Sequence, residues 1–265
     1  MEIGINLFCC DAEENLDIDK KIKLMLENGF YHTFTRSDDS ELTDEAVKKL
    51  KENNIVFDFL HLPFKGINSL YTETEEANAM LDVIYDGIEK CSKYEIPLAI
   101  LHLSGGKNPP YNDIGSERYF NIMEKARLLG VKIAFENLRT LGNLALTLEK
   151  FEDALFCWDT GHESCFASGR QYMPLFGNRL GALHIHDNRG IPDKDDHMLP
   201  YDGTIDFERV ARQLSDVGFD GTLMLEVVKS RAEIYDNLSV EEFYKRASVN
   251  ITRLLNQVAA YKTNL

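Results

Sequence analysis

Several apolar runs in this chain end abruptly in side chains that bind metals or move protons. FLHLP carries His61, AILHL carries His102, IAFEN ends in Glu136, CWD in Asp159, LHIHDN holds His184 and His186, and LMLEV holds Glu226. Any one of these alone reads most simply as a hydrogen-bonded surface or core residue. Together, at the ends of consecutive runs, two Glu, an Asp and several His in a narrow mouth would repel and desolvate one another, and a divalent cation resolves that conflict. The stretch CWDTGHE sets His162 three residues after Asp159. Asp-Thr-Gly also suits a strand-to-helix turn with an N-cap, so a structural and a chemical reading both stand here. Further on, IPDKDDHMLPYDG brings Asp193, Asp195, Asp196 and His197 close together. As a charge run this is a solvated loop; the D-x-H spacing of Asp195 and His197 is what adds a site reading.

The elements that must position these groups follow from hydrophobic periodicity. Strand candidates are Ile3 to Phe8, His32 to Thr35, Ile55 to Leu62, Leu98 to Leu103, Val131 to Glu136, Ala154 to Asp159, Ala182 to His186 and Thr222 to Val227. Between them lie amphipathic segments such as DIDKKIKLMLENGF, TDEAVKKLKENN, SERYFNIMEKARLLG and DFERVARQLSDVGF, several ending in Gly. Helices after the fifth and sixth strands are assigned only by default. Strict alternation without a linker rich in Pro, Gly or Ser points to one (β/α)8 TIM barrel spanning 1–265 as a single domain, with a doubly wound open sheet as competitor. Barrel active sites lie at the C-terminal strand ends, where the acids and imidazoles fall. Side chains alternate along a strand, so His184 and His186 share a face while Ile185 points away; Ala134 and Glu136 pair likewise, with Ile133 and Phe135 toward the helices.

Composition bounds the rest. A chain of 265 residues with 44% hydrophobic content supports a substantial core. No apolar stretch reaches bilayer length, and MEIGINLFCC begins like a strand rather than a signal peptide, so a soluble cytoplasmic protein without membrane partners is expected. Cys9, Cys10, Cys91, Cys157 and Cys165 show no zinc-ribbon spacing and read as reduced thiols. A net charge of −15 weighs against nucleic acid, which demands a positive footprint.

With these residues in place, the chain resembles the xylose isomerase-like barrel superfamily, which includes sugar and sugar-phosphate isomerases, sugar epimerases, inosose dehydratases and the endonuclease IV family. The matching stretches are FEN at Glu136, DTGH from Asp159 to His162, LHIHDN from His184 to Asn188, DDHMLPYDGTIDF from Asp195, and LMLEV at Glu226. The resemblance implies a divalent metal held by Glu136, Asp159, His184 and Glu226, and His162 as a substrate-facing residue or a ligand of an additional zinc. Mixed carboxylate and imidazole ligation suits manganese, zinc, cobalt or iron better than calcium without selecting one; manganese or zinc is the expected ion, with cobalt, iron or magnesium as alternatives. Such a metal polarises a ketose carbonyl and stabilises the enediolate left when the adjacent C–H proton departs. Glu136 and Glu226 on opposite sides of that carbon would then move the proton, with His162 beside them. The expected activity is therefore a metal-dependent sugar or sugar-phosphate isomerase or epimerase of carbohydrate metabolism. His162, His186 and Asn188 would orient hydroxyls.

Three other readings accompany it. An endonuclease IV-like zinc phosphodiesterase acting on abasic DNA would also use His61, His102, His162, Asp195 and His197 as ligands. Against it stand the net charge, short early loops, and few strand-end basic residues beyond Arg36, Lys65, Lys107 and Arg189. The others are an inosose dehydratase-like lyase and a non-catalytic barrel that binds metal or sugar. LSGGKNPP offers Gly105, Gly106 and Lys107 to a phosphate, although it reads more simply as a turning loop. Phe8, Phe64, Trp158 and Tyr201 are candidates for an apolar wall against a sugar ring. Self-association into a homo-oligomer is expected by analogy with such barrels.

Overall fold

A computed structural model describes residues 1–13, 16–106, 110–167 and 169–263. Eight parallel strands, β1 (Ile3–Asn6), β2 (His32–Arg36), β3 (Val56–His61), β4 (Leu98–Leu101), β5 (Lys132–Glu136), β6 (Leu155–Asp159), β7 (Leu180–His184) and β8 (Leu223–Leu225), run in the order β7-β6-β5-β4-β3-β2-β1-β8. β1 pairs with β8 through Ile3–Leu223, Gly4–Met224 and Ile5–Leu225, which excludes the open doubly wound sheet. At the remaining seam β7 meets β8 through an isolated bridge, Ile185 with Leu225, and the backbone bonds Ile185 N to Met224 O (2.8 Å) and Glu226 N to Ile185 O (3.1 Å). The fold is a single (β/α)8 TIM barrel, nearly closed.

Every expected strand is present, and several stop short of their expected C-terminal ends. β1 ends at Asn6 rather than Phe8 because the Asn6 side chain replaces the ladder there: its amide donates to Val227 O at 3.1 Å and accepts from Val227 N at 3.0 Å. β4 ends at Leu101 and β7 at His184, which leaves His102 and His186 in the loops just past the ladders. The helices are α1 (Ile18–Glu27), α2 (Asp44–Glu52), α3 (Glu75–Tyr94), α4 (Asp113–Leu128), α5 (Leu141–Lys150), α6 (Thr160–Phe166), α7 (Met173–Phe176), α8 (Phe207–Asp216) and α9 (Val240–Lys262). The two regions assigned by default are thus helical, in α5 and α6. Their starts obey ordinary capping chemistry: the Asp17, Thr43 and Asn112 side chains accept from Lys20, Ala46 and Gly115 N–H, and Ser239 forms a capping box with Glu242.

Two apolar regions result from the strand alternation. Residues such as Ile133, Phe135, Phe156, Trp158 and Leu183 face the helix layer, whereas Phe8, Phe34, Phe59, Ile100, Ala134, Cys157, Ala182 and Met224 fill the barrel. The interior plug ends where the acids and imidazoles begin. Among the described residues no helix is long and apolar enough to cross a membrane.

Candidate metal centre

His184 stands at the centre. Its ring stacks on Phe34 at 5.0 Å and lies 5.5 Å from Phe59, so the apolar plug is its floor. Nδ1 has no hydrogen-bond partner among the described residues, yet Glu136 Oε1 and Glu226 Oε2 lie 3.4 Å away and Asp159 Oδ2 3.9 Å. All four side chains are buried. Their donor atoms fall within 4.8 Å of one another, close enough to share one cation and too far apart for good hydrogen bonds. Buried carboxylates facing an orphaned imidazole nitrogen are costly unless something positive joins them. The residues therefore fit a divalent metal.

Asp159 answers both readings of CWDTGHE. One carboxylate oxygen caps α6, accepting from His162 N at 2.6 Å, and the other turns to His184 and to His186 Nε2, 3.1 Å away. Asn137, which no motif argument had assigned a role, grips the same strand end: its side chain accepts from Asp159 N at 2.7 Å and donates to Asp159 O at 2.9 Å. Gly161 is required by contact, since a Cβ there would lie 1.8 Å from His186 Cε1. Glu163 is locked by three donors, Trp158 Nε1 at 3.0 Å, Tyr172 N at 3.0 Å and Arg209 Nη1 at 2.8 Å. The short helix α6 is thereby fixed at its N-terminus and at its middle.

Two further groups flank the central one. His61 Nε2 and His102 Nε2 approach Glu136 Oε2 at 3.2 and 2.9 Å. On the other side His197 Nε2 meets Asp195 Oδ2 at 2.7 Å, and the rings of His186 and His197 stack at 4.2 Å. His61, His102 and Glu136 form one set of donor atoms within 4.8 Å; His186, Asp195 and His197 form another. His162 links the groups, with Nδ1 2.8 Å from Glu136 Oε1 and Nε2 3.5 Å from Asp195 Oδ2. His197 adopts a left-handed backbone, φ 47°, a conformation that costs a non-glycine residue energy and is typically retained at functional sites.

The electrostatics are those of a site organised around positive charge. Burial pushes Glu136 up, but His184, His102 and His162 outweigh it and hold the carboxyl well below its ordinary value. Glu226 is likewise lowered, burial being overcome by His184 and His197, and Asp195 is lowered against burial by His197 and His162. Burial opposes protonation of His186, yet Asp159 raises it to about 9, and His162 rises against burial beside Asp159 and Glu136. His102 goes the other way, because desolvation exceeds the pull of Glu136.

Above these groups lies a cavity of about 650 Å³, lined by Glu136, Glu226, His61, His102, His162, Asp195 and His197 among others. Asp159, His184 and His186 are fully buried beneath it. Of the four aromatic candidates, two line the cavity, Phe8 and Phe64. Two fail. Trp158 neighbours Asp159 on the strand and by alternation points into the helix layer, where it meets Glu163. Tyr201 packs on Phe207 and under Arg253, away from the cavity. Phe166 on α6 lines it instead. Asn188 is buried and occupied, donating to Gly161 O at 2.9 Å and accepting from Ser164 Oγ at 3.0 Å. Asp196 pairs with Arg189 and Asp193 with Arg139. Gly105 and Gly106 reach the cavity rim, and Lys107 lies outside the described residues. All five cysteines are free and buried.

A parallel barrel with an acid and imidazole cluster at its C-terminal mouth defines a class that comparison identifies. The family model described as xylose isomerase-like TIM barrel matches residues 22–246, and the chain belongs to this family. Among sequence relatives, an uncharacterized protein of Sinorhizobium fredii is 34% identical over 39% of this chain and 32% of its own length. The chain thus spans about a third of that relative. An uncharacterized protein of Methanocaldococcus jannaschii is 24% identical over 69% of each chain. Among solved structures, L-ribulose 3-epimerase superposes with TM-score 0.78 at 14% identity, covering 100% of this chain and 98% of that one. The IolI protein with a bound zinc atom gives 0.78 at 16% over 98% and 99%, and a D-tagatose 3-epimerase-like protein 0.76 at 18% over 98% and 99%. At such identities the likeness is one of fold.

Proposed function

We propose that residues 1–265 form one domain acting as a divalent-metal-dependent sugar isomerase or epimerase, with Glu136, Asp159, His184 and Glu226 as metal ligands. The observation that carries the reading is a division of labour within the central group. Asp159 and His184 are wholly buried, while Glu136 and Glu226 also border the cavity, where a substrate would sit. They arrive from β5 and from just past β8, three strands apart around the barrel, so they approach a bound sugar from different directions. Both are held ionised, one as the base that takes the proton beside a ketose carbonyl and the other positioned to return one. A bound divalent ion would supply the Lewis acidity that polarises that carbonyl. His162, buried at the cavity floor beside Glu136, would exchange a proton with a substrate oxygen. The epimerase structures of the same fold support the reading by analogy.

One observation favours a second reading. The His61–His102–Glu136 and His186–Asp195–His197 groups give the cavity floor more donors than one ion needs. Several ions in a row would suit hydrolysis of a phosphodiester in abasic DNA. Metal content by plasma mass spectrometry, on protein purified without chelator or metal-binding tag, separates the two. About one ion per chain, together with solvent deuterium appearing beside the carbonyl of a ketose in heavy water, supports the isomerase reading. About three zinc ions per chain with cleavage of abasic DNA and no ketose exchange would replace it.

A further inference from the structure

The opening of the cavity gathers arginines although the molecule as a whole is acidic. The chain carries 44 acidic against 29 basic residues. At the cavity mouth, however, Arg36 at the end of β2, Arg139 after β5 and Arg231 after β8 converge from three separate strand ends, and among the described residues Asp11 is the one acid of the lining outside the candidate metal groups. Two of these arginines rest on rings that also line the cavity. Arg36 lies 4.8 Å above Phe8, and Arg139 lies 3.7 Å above Phe166.

A ring face holds a guanidinium by its plane and leaves the N–H donors at its edge for hydrogen bonds; those of Arg139 reach Asp193 Oδ1 at 3.3 Å from Nε and 3.2 Å from Nη2, both long contacts. The Arg36 side chain makes no hydrogen bond among the described residues; its ion-pair contact is Asp11 Oδ2 at 3.7 Å, and Asp11 is itself held by Lys21 at 3.1 Å. Arg231 reaches Asp195 O at 3.3 Å and Oδ2 at 3.6 Å, both long contacts. Half-exposed pairs of this kind add little to folding stability. An anion entering the cavity would compete for these donors with Asp11, Asp193 and Asp195.

We propose that this arginine rim selects substrates carrying an anionic group, a phosphate monoester or a carboxylate, at the end remote from the carbon whose proton is exchanged; the proposal rests on the sugar reading of the same cavity. The planar fork of a guanidinium matches two oxygens of either anion. The carboxylates of the floor would be matched by the imidazoles and by the metal proposed there, so the guanidiniums of the rim are the groups that the substrate's own anion would meet.

The test is calorimetric binding to the manganese-loaded protein of three ketoses: fructose 6-phosphate, fructuronate and fructose. The wild type is expected to bind one or both anionic ketoses at least about tenfold more tightly than fructose, the worth of one charge-assisted contact. Which anionic ketose gains tells phosphate from carboxylate. Arg36→Gln and Arg139→Gln should each erase most of that preference, whereas Arg212→Gln on the outer face of α8 keeps it. Equal binding of all three ketoses overturns the proposal, as does a preference that survives in the Arg36→Gln/Arg139→Gln double variant. Tighter, Arg36-dependent binding of an abasic DNA duplex overturns it in favour of a polynucleotide. Deuterium exchange on the same samples separates the two readings. A preference without turnover of any ketose upholds the rim and removes the isomerase; turnover without a preference does the reverse.

Discussion

Replacing Gly161 by alanine tests whether the site depends on the close approach of α6 to the cluster. The added Cβ would stand 1.8 Å from His186 Cε1, 2.3 Å from Nδ1 and 2.5 Å from Nε2. Ordinary contact begins near 3.4 Å, so the ring or the helix must retreat by about 1.6 Å (3.4 − 1.8). That movement takes His186 Nε2 from 3.0 Å out of hydrogen-bond reach of Asp159 and disturbs its stack on His197. Overpacking a core costs about 1–3 kcal/mol, and a lost charge-assisted bond about 1.5–3. Helix propensity returns about 1 kcal/mol on going from Gly to Ala, leaving a net loss of roughly 1.5–5 kcal/mol. For a chain of this size that corresponds to a melting temperature lowered by about 5–15 °C. Gly142→Ala on α5 is the control, because its Cβ meets nothing within 4 Å and the change should be neutral or stabilising. The assay is thermal unfolding of both variants, with metal content measured on the folded protein. A Gly161→Ala protein that melts with the wild type and keeps its full metal complement would refute the reasoning.

Other expectations follow from the same contacts. Asp159→Asn keeps an acceptor for His162 N, so α6 should stay folded by circular dichroism. Metal affinity should nevertheless fall by at least about 100-fold, beyond the loss of an outer hydrogen-bond partner, and wild-type activity in the metal-stripped variant would count against the ligand set. Glu163→Ala strands Trp158 Nε1, Tyr172 N and Arg209 without their acceptor. It should cost about 3–5 kcal/mol in urea unfolding, and a loss under about 1 kcal/mol would mean that the clamp is dispensable. Chelation should lower the melting temperature reversibly, since an ion at 100 times its Kd adds about 2.7 kcal/mol to a native state that alone binds it; an unchanged melt would argue against a resident ion. At the opposite barrel end, His32 Nδ1 lies 2.6 Å from Asp58, and that bond raises the His32 pKa above 6.5. A raised folded-state value contributes stability fully below 6.5 and loses it as pH climbs through the folded pKa. The stability gap between wild type and His32→Gln should therefore close on going from mildly acidic to alkaline buffer, and a gap that widens would contradict the sign.

The strand ends were the most legible part of the molecule, because period-two alternation and the placement of polar residues after apolar runs speak to the same geometry. His61, Glu136, Asp159 and His184 are the last residues of their strands, and His102 and Glu226 follow theirs by one. Barrel closure was not legible, since Ile3 and Leu223 pair across more than 200 residues and nothing local records it. Trp158, a candidate for the cavity wall, lies in the helix layer, as strand alternation opposite Asp159 requires. Asn137, Gly161 and Phe166 went unassigned for different reasons. The Asn137 contacts bridge two strands, the Gly161 requirement arises from a ring 25 residues away in sequence, and Phe166 lines the cavity from the last residue of α6. DTGH nonetheless contained a usable signal, a glycine inside a helix where alanine would be preferred.

The seam between β7 and β8 has a mechanical meaning. Every other neighbouring pair of strands shares a ladder of at least two registered residues, while this pair is joined by one bridge. His184 ends one side of the seam and Glu226 begins the loop on the other, so an ion gripped by both is a rivet across the weakest stave of the barrel. The stripped protein should breathe there first, with the amides of Ile185 and Glu226 exchanging with solvent faster than those of the β1–β8 ladder. Loading the ion would slow them. Substrate-ready geometry and a shut barrel would then be one condition rather than two.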